Sequence, residues 1–131
     1  MTVLHRPFGA VSGFFTGDGV LVDGAILTNP ADQTVLADTG PLNVSGPTGT
    51  WVDYLFAVTG VTNVALVYDI QHRDSTNTTN LNVLRRRFGP GVDDKPFANK
   101  LAIGANERLR VILQGAVTGE VQAAIEYTIF T

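Results

Sequence analysis

The chain has 131 residues, of which 44% are hydrophobic and 16% charged, and its formal net charge is −3. That is enough apolar material for one domain with a buried core, and it excludes a disordered chain. There is no cysteine, so disulfides, thiol catalysis and Cys-based metal centres are excluded.

Fourteen glycines and six prolines favour short strands joined by turns over helices. No stretch approaches the ~18 apolar residues of a membrane span. The N-terminus lacks the basic start and apolar run of a signal peptide, so synthesis without export is expected. The "NVS" at Asn43 and "NTT" at Asn77 match glycosylation acceptors, as chance allows in a chain rich in Asn and Thr.

Residues 1–23 carry apolar residues and frequent glycines without a clean period. Phe14 and Phe15 are adjacent, so a single strand would send them to opposite faces. The segment reads as an N-terminal arm packed on a neighbouring surface, with an edge strand of the same domain as the alternative. Residues 24–131 read as one β-sandwich domain.

In that domain "GAILT" (24–28) and "QTVLADTG" (33–40) are strands around the turn signal "NPAD". "PLNVSGPTG" (41–49) is a short strand with a loop. "TWVDYLFAVTG" (50–60) sends Val52, Tyr54, Phe56 and Val58 to one face, and Trp51, Asp53, Leu55 and Ala57 to the other. Both faces are partly apolar, as for a central strand with one side in the core and one against an arm or partner.

"NVALVYDIQHRD" (63–74) alternates in the same way, with Val67 on the face opposite Leu66 and Tyr68. "STNTTN" is a polar turn, "LNVLRRRF" (81–88) the returning strand, and "FANKLAIG" (97–104) a short one. In "NERLRVILQG" (106–115), Leu109, Val111 and Leu113 face in, while Arg108, Arg110 and Ile112 face out. In "VQAAIEYTIF" (121–130), Val121, Ala123, Ile125, Tyr127 and Ile129 face in. About eight antiparallel strands at this spacing predict an all-β sandwich of jelly-roll type.

The run Arg85-Arg86-Arg87 is the only one of its kind. Strand alternation splits it, with Arg85 and Arg87 on the face of Leu81 and Val83, and Arg86 on the other. The expected role is pairing with carboxylates at a sandwich edge or subunit seam, where a planar guanidinium binds bidentately. Contact with an acidic partner surface is the second reading, with Arg108 and Arg110 as further candidates. Nine basic against twelve acidic residues make a poor nucleic-acid footprint.

Catalytic signatures are sparse. The two histidines, His5 and His72, have no metal-ligand spacing, and no GxSxG elbow occurs. A triad would need His72 with Ser75 or Ser45; the simpler role for His72 is a structural one at a strand end. Asp93 and Asp94 are loop carboxylates that a calcium ion could use, although Asp is a common turn residue. Glu107, Glu120 and Glu126 carry no mark of a glycosidase pair. The expectation is a non-enzyme with no cofactor.

The stretches "QTVLADTGPL", "VYDIQHRDSTNTTNLNVLRRRF" and "NERLRVILQGAVTGEVQAAIEYTIF", in that order, resemble a class of small jelly-roll proteins of tailed-bacteriophage virions. The resemblance covers residues 24–131. It implies a head decoration (cement) protein or another minor virion component, assembled in the bacterial host cytoplasm and often a homotrimer. The implied partners are the major capsid protein or another virion protein, with no nucleic acid and no membrane. The resemblance supplies no contact residues; the arm and the outward strand faces offer as interface candidates Phe14, Phe15, Trp51, Leu55, Val67, Arg85, Arg87, Arg108, Arg110 and Ile112. A carbohydrate- or receptor-binding module of a tail fibre is the alternative; it would need an exposed aromatic platform from Trp51, Tyr54 and Tyr68. An enzyme of the cupin or glycosidase kind comes third.

Overall fold

Two-residue alternation, interrupted by Asn, Asp and Gly, builds the whole architecture. The computed structural model describes residues 20–44, 50–62, 65–88 and 97–130. Among these there are nine strands and no helix: β1 (Val20–Asp23), β2 (Leu27–Thr28), β3 (Val35–Asp38), β4 (Trp51–Thr62), β5 (Leu66–Arg73), β6 (Asn80–Phe88), β7 (Phe97–Ala102), β8 (Arg108–Leu113) and β9 (Gly119–Phe130). They form two antiparallel sheets in a sandwich-like arrangement. The first has the order β1-β9-β4-β7, with β2 also on β9; the second has the order β3-β8-β5-β6.

The core fills the space between the sheets. Val52, Val121, Ala123 and Ile125 enter from the first sheet; Leu36, Leu66, Tyr68, Ile70, Leu109, Val111 and Leu113 enter from the second. Loop residues Leu42, Ile103 and Val117 close its ends. The residues from β4, β5, β8 and β9 have the parity that their segments' apolar alternation predicts; β3 has a register shift between Val35 and Ala37, and both Leu36 and Ala37 are buried.

Asparagine makes the corners. Asn29, Asn43, Asn77 and Asn106 all have positive φ, a region Asn tolerates because its side chain bonds locally. Asn29 Oδ1 accepts from Gly119 N at 2.8 Å, which ties the "NPAD" turn to the start of β9. In the β5–β6 turn Asp74 Oδ1 accepts from Thr78 N (2.8 Å) and Thr79 N (3.2 Å). These bonds hold the Asp74 carboxyl down to a pKa of about 2. Asn43 is buried with Nδ2 donating to Ile103 O at 3.0 Å, so that acceptor sequence is a structural corner.

The structure changes the expected boundary of the sandwich. Val20–Asp23 lies within the segment assigned to an arm, but it pairs with Ala124–Tyr127 of β9 and is an edge strand of the body. The alternative weighed for that segment therefore describes its last four residues. Phe14 and Phe15 lie outside the described residues. The short strand expected from residue 41 does not form at Pro41–Val44, where the chain turns, whereas the chain from Val20 to Thr28 lies along β9 in two pieces, β1 and β2. The break comes at Gly24, whose N donates to Ala123 O at 2.8 Å. A side chain there would strike the carbonyl oxygens of Leu36 and Ala123. Here the edge of the first sheet passes directly over β3.

Candidate interaction face

The outward face of the second sheet gathers most of the charged residues singled out from sequence. Register sets the pattern: Val67 is opposite Arg87, Asp69 opposite Arg85, and Gln71 opposite Val83 on the β6 side. On the β8 side Asp69 is opposite Ile112, Gln71 opposite Arg110, and Arg73 opposite Arg108. Asp38 of β3 is opposite Arg110. Cross-strand partners share a face. Arg85, Arg87, Arg108 and Arg110 thus share one face, three strands wide, with Arg87 level with Val67 and Arg108 level with Arg73 near the other end of β5.

The arginine run divides as its alternation predicts. Arg85 forks onto Asp69, with Nε donating to Oδ1 at 2.7 Å and Nη2 to Oδ2 at 3.1 Å. Hydrogen bonding to Asp69, and then its negative charge, pushes the Arg85 pKa further up. Asp69 is buried although it faces outward, because neighbouring side chains cover it. Its Oδ2 also accepts from Gln114 Nε2 at 2.9 Å, and Gln114 Oε1 accepts from Gln33 Nε2 at 2.8 Å. Arg86 turns to the other side, where its Nε donates to the hydroxyl of the buried Tyr68 at 3.3 Å. Pairing with a carboxylate at a sandwich edge is borne out for Arg85, since β6 is the outer strand of its sheet.

The remaining arginines are less neutralised. Arg110 Nε donates to Gln71 Oε1 at 2.7 Å. Arg108 reaches Asp38 Oδ2 only at 3.4 Å. Arg73 spends Nε, Nη1 and Nη2 on Asn77 and Asn80 in the adjoining turn. Partial burial lowers the pKa of Arg110; the charges of Arg73 and Arg108 act in the same direction against Asp38. Arg87 is exposed and has no hydrogen bond or ion pair among the described residues. Beside these groups Leu81 and Val83 are exposed on β6 and Val35 on β3.

The apolar candidates fare unequally. Trp51 is 42% exposed and remains available to a partner. Val67 is half-buried. Ile112 faces outward as expected but is only 4% exposed, so it is covered within its own chain and offers little contact area. Its cross-strand neighbours Val35 and Asp69 flank it. The side chain of Leu55 lies outside the described residues. On the first sheet Gln122, Ala124 and Glu126 of β9 point away from the core yet are buried. Both faces of that central strand are therefore covered.

A second polar site lies inside the sandwich. His72 is buried at the end of β5, with Nε2 2.8 Å from Glu107 Oε1 and Nδ1 2.9 Å from Asn82 Nδ2. With the Asn82 amide donating to Nδ1, the ring proton sits on Nε2 and goes to Glu107. That carboxylate also accepts from Gly104 N at 2.6 Å. A cavity of about 340 Å3 opens beside it, where β5 and β6 face β7, lined by Ile70, His72, Asn82, Leu84, Asn99 and Lys100 among others. Ser75 stands in the exposed turn after β5, and Ser45 lies outside the described residues. Both ring nitrogens are taken, so the imidazole acts as a cross-link between β5, β6 and the loop before β8.

Sequence reasoning missed Glu107 as the partner of His72. The signal was present: Glu107 shares the inward parity of Leu109, Val111 and Leu113. No group of three or more potential metal-ligating side chains occurs among the described residues. Asp93 and Asp94 lie outside them. Compared with known proteins, the chain matches no family model, and no curated protein is significantly similar to it.

Proposed function

We propose that this chain is a structural protein of tailed-phage virions, a jelly roll that works by protein–protein contact on the capsid. The strand order carries the reading. With β1 and β2 taken as one strand interrupted at Gly24, the two sheets become β1/β2-β9-β4-β7 and β3-β8-β5-β6. That order matches the one expected of eight strands wound as two Greek keys, a fold recurrent in viral capsid proteins, and supports the jelly-roll reading. Fold alone does not name a function. The virion setting rests on the ordered resemblance of the three strand segments to small phage jelly rolls.

The available surface suits such a role. An arginine-bearing face flanked by exposed aliphatic residues lies on one sheet, and Trp51 and Leu21 are exposed on strands of the other. Arginine and large apolar side chains are the groups that protein interfaces concentrate. Burying an exposed Trp or Leu contributes about 1.5–3 kcal/mol before ordering costs. Repetition over many copies on a shell multiplies modest contacts into firm attachment. The tail-fibre reading has less support, because Tyr68 lies wholly in the core and cannot join an aromatic platform with Trp51.

Two measurements test the reading. Light scattering after size exclusion is expected to give the mass of three full-length chains. Mass spectrometry of purified virions from the host carrying this sequence is expected to detect the chain. Virions that lack it would overturn the proposal.

A further inference from the structure

We propose that the outer face of the second sheet is a docking surface for an acidic protein surface, received by the guanidinium groups of Arg87, Arg108 and Arg110. The proposal rests on the reading of the chain as a protein-binding subunit, though not on its virion setting.

Charge is the first argument. The strands of this face carry Arg73, Arg85, Arg87, Arg108 and Arg110 against Asp38 and Asp69, an excess of positive charge on a chain whose formal net charge is −3. The rest of the chain therefore carries a net formal charge more negative than −3, while this face carries a positive excess. Such segregation steers a partner of opposite sign to that side.

Register is the second. Arg73 and Arg108 are directly opposite on adjacent strands, and Arg110 is two residues from Arg108 on the same face. Like charges set opposite one another destabilise a sheet. Only Asp38 stands among these three, at 3.4 Å from Arg108. A carboxylate brought by a partner would relieve that repulsion.

The third argument is donor accounting. Arg110 spends Nε on Gln71, and its two terminal nitrogens have no partner among the described residues. Arg108 has one long bond, and Arg87 has none. Planar forks with free N–H groups match carboxylates bidentately.

The neighbourhood selects protein over nucleic acid. Val83, 49% exposed, sits on the same face between these charges, with Leu81 exposed farther along the strand. Aliphatic side chains beside arginines suit a protein interface, which enriches Arg and apolar groups, whereas phosphate contacts draw on cationic and polar side chains and gain nothing from aliphatic ones. A second copy presenting the same face would oppose positive charge with positive charge, which disfavours a two-fold contact of this face with itself. The occupant proposed is a different, acidic protein.

The test uses the full chain with fluorescently labelled poly-L-glutamate and a duplex DNA of similar total charge, read by anisotropy at low salt. Poly-L-glutamate is expected to bind, and the triple variant R87Q/R108Q/R110Q to bind at least tenfold more weakly. The triple Arg→Lys variant, which keeps the charge without the planar fork, is expected to bind with an affinity between those of wild type and the Gln triple. R87Q alone, at a side chain with no intramolecular partner, should weaken binding severalfold with an unchanged melting temperature; it keeps the test valid if the triple variant folds poorly. The proposal is overturned if poly-L-glutamate does not bind, if R87Q and the Gln triple bind like wild type, or if DNA binds more tightly. Dissociation of an oligomer by the Gln triple, seen by light scattering, would make the occupant a second copy and overturn it as well. Binding of poly-L-glutamate by a chain absent from virions would leave this face standing and remove only the virion setting.

Discussion

Replacing Gly24 by alanine is expected to destabilise the sandwich out of proportion to one methyl group. A Cβ built at position 24 would lie 2.6 Å from Ala123 O and closer still to Leu36 O. Both atoms are backbone, one in each sheet, so neither can rotate away. Ordinary contact requires either the sheets to part or β1 to lift off β9. Overpacking of this kind costs ~1–3 kcal/mol. Lifting the strand also gives up the Gly24 N–Ala123 O bond of 2.8 Å, worth about 1 kcal/mol. Restricting the unfolded chain returns roughly 0.5 kcal/mol. The net loss is about 2–3 kcal/mol, which for a domain of this size lowers Tm by about 10 °C. Calorimetry of the wild type and the G24A variant reads this directly. Hydrogen exchange should show lost protection at position 24 and along β1. Gly40→Ala is the control: φ is +72° but no atom lies within 4 Å of the added Cβ, so only backbone strain of about 1 kcal/mol applies. A G24A variant melting within about 2 °C of wild type would refute the close approach of the two sheets at this point.

Other outcomes follow from the polar networks and the exposed tryptophan. Glu107→Ala removes the acceptor of both His72 and the Gly104 amide, and should cost about 2 kcal/mol of stability in chemical denaturation. It should leave poly-L-glutamate binding unchanged, since this carboxylate lies on the inward side. Asp74 has its folded pKa lowered from 3.8 to about 2 by turn hydrogen bonds. Its contribution is therefore present above pH 3.8 and lost as pH falls towards 2. The melting-temperature gap between wild type and D74A should be full at pH 5 and close between about pH 4 and 2; a gap constant over that range would refute the turn's carboxylate bonding. Trp51 is the sole tryptophan and 42% exposed, so assembly through it should shift its emission to shorter wavelength and reduce acrylamide quenching as concentration rises. Unchanged emission in a proven oligomer would place the subunit contact elsewhere.

Much of the fold was legible because strand parity is a local property. The alternation in "RLRVIL" sends Leu109, Val111 and Leu113 inward whatever lies beside them, and all three are buried. The same rule separates Arg86 from Arg85 and Arg87, and the structure keeps that division. Turns were legible too, because Asn and Asp bond their own backbone: Asn77 and Asp74 shape the β5–β6 corner where the polar run stands. The segment before Gly24 was less clear, since four residues of an edge strand carry too short an alternation to distinguish them from an arm. Ile112 misled for a related reason. Parity says which way a side chain points, and not whether its neighbours are tall enough to cover it.

The candidate face depended on partners far apart in the chain. Asp69 and Arg85 lie 16 residues apart and meet through one hairpin. Arg110 meets Gln71 across 39 residues, and Arg108 meets Asp38 across 70. By itself the sequence determined the class of fold, most of the strands and the side of the sheet to which each arginine points, because alternation and turn chemistry act over a few residues. Only the tertiary structure decided that β3, β8, β5 and β6 lie side by side, that Glu107 holds His72, and that positive charge collects on one face. Strand order is set by how distant segments share a core, and no local pattern records it.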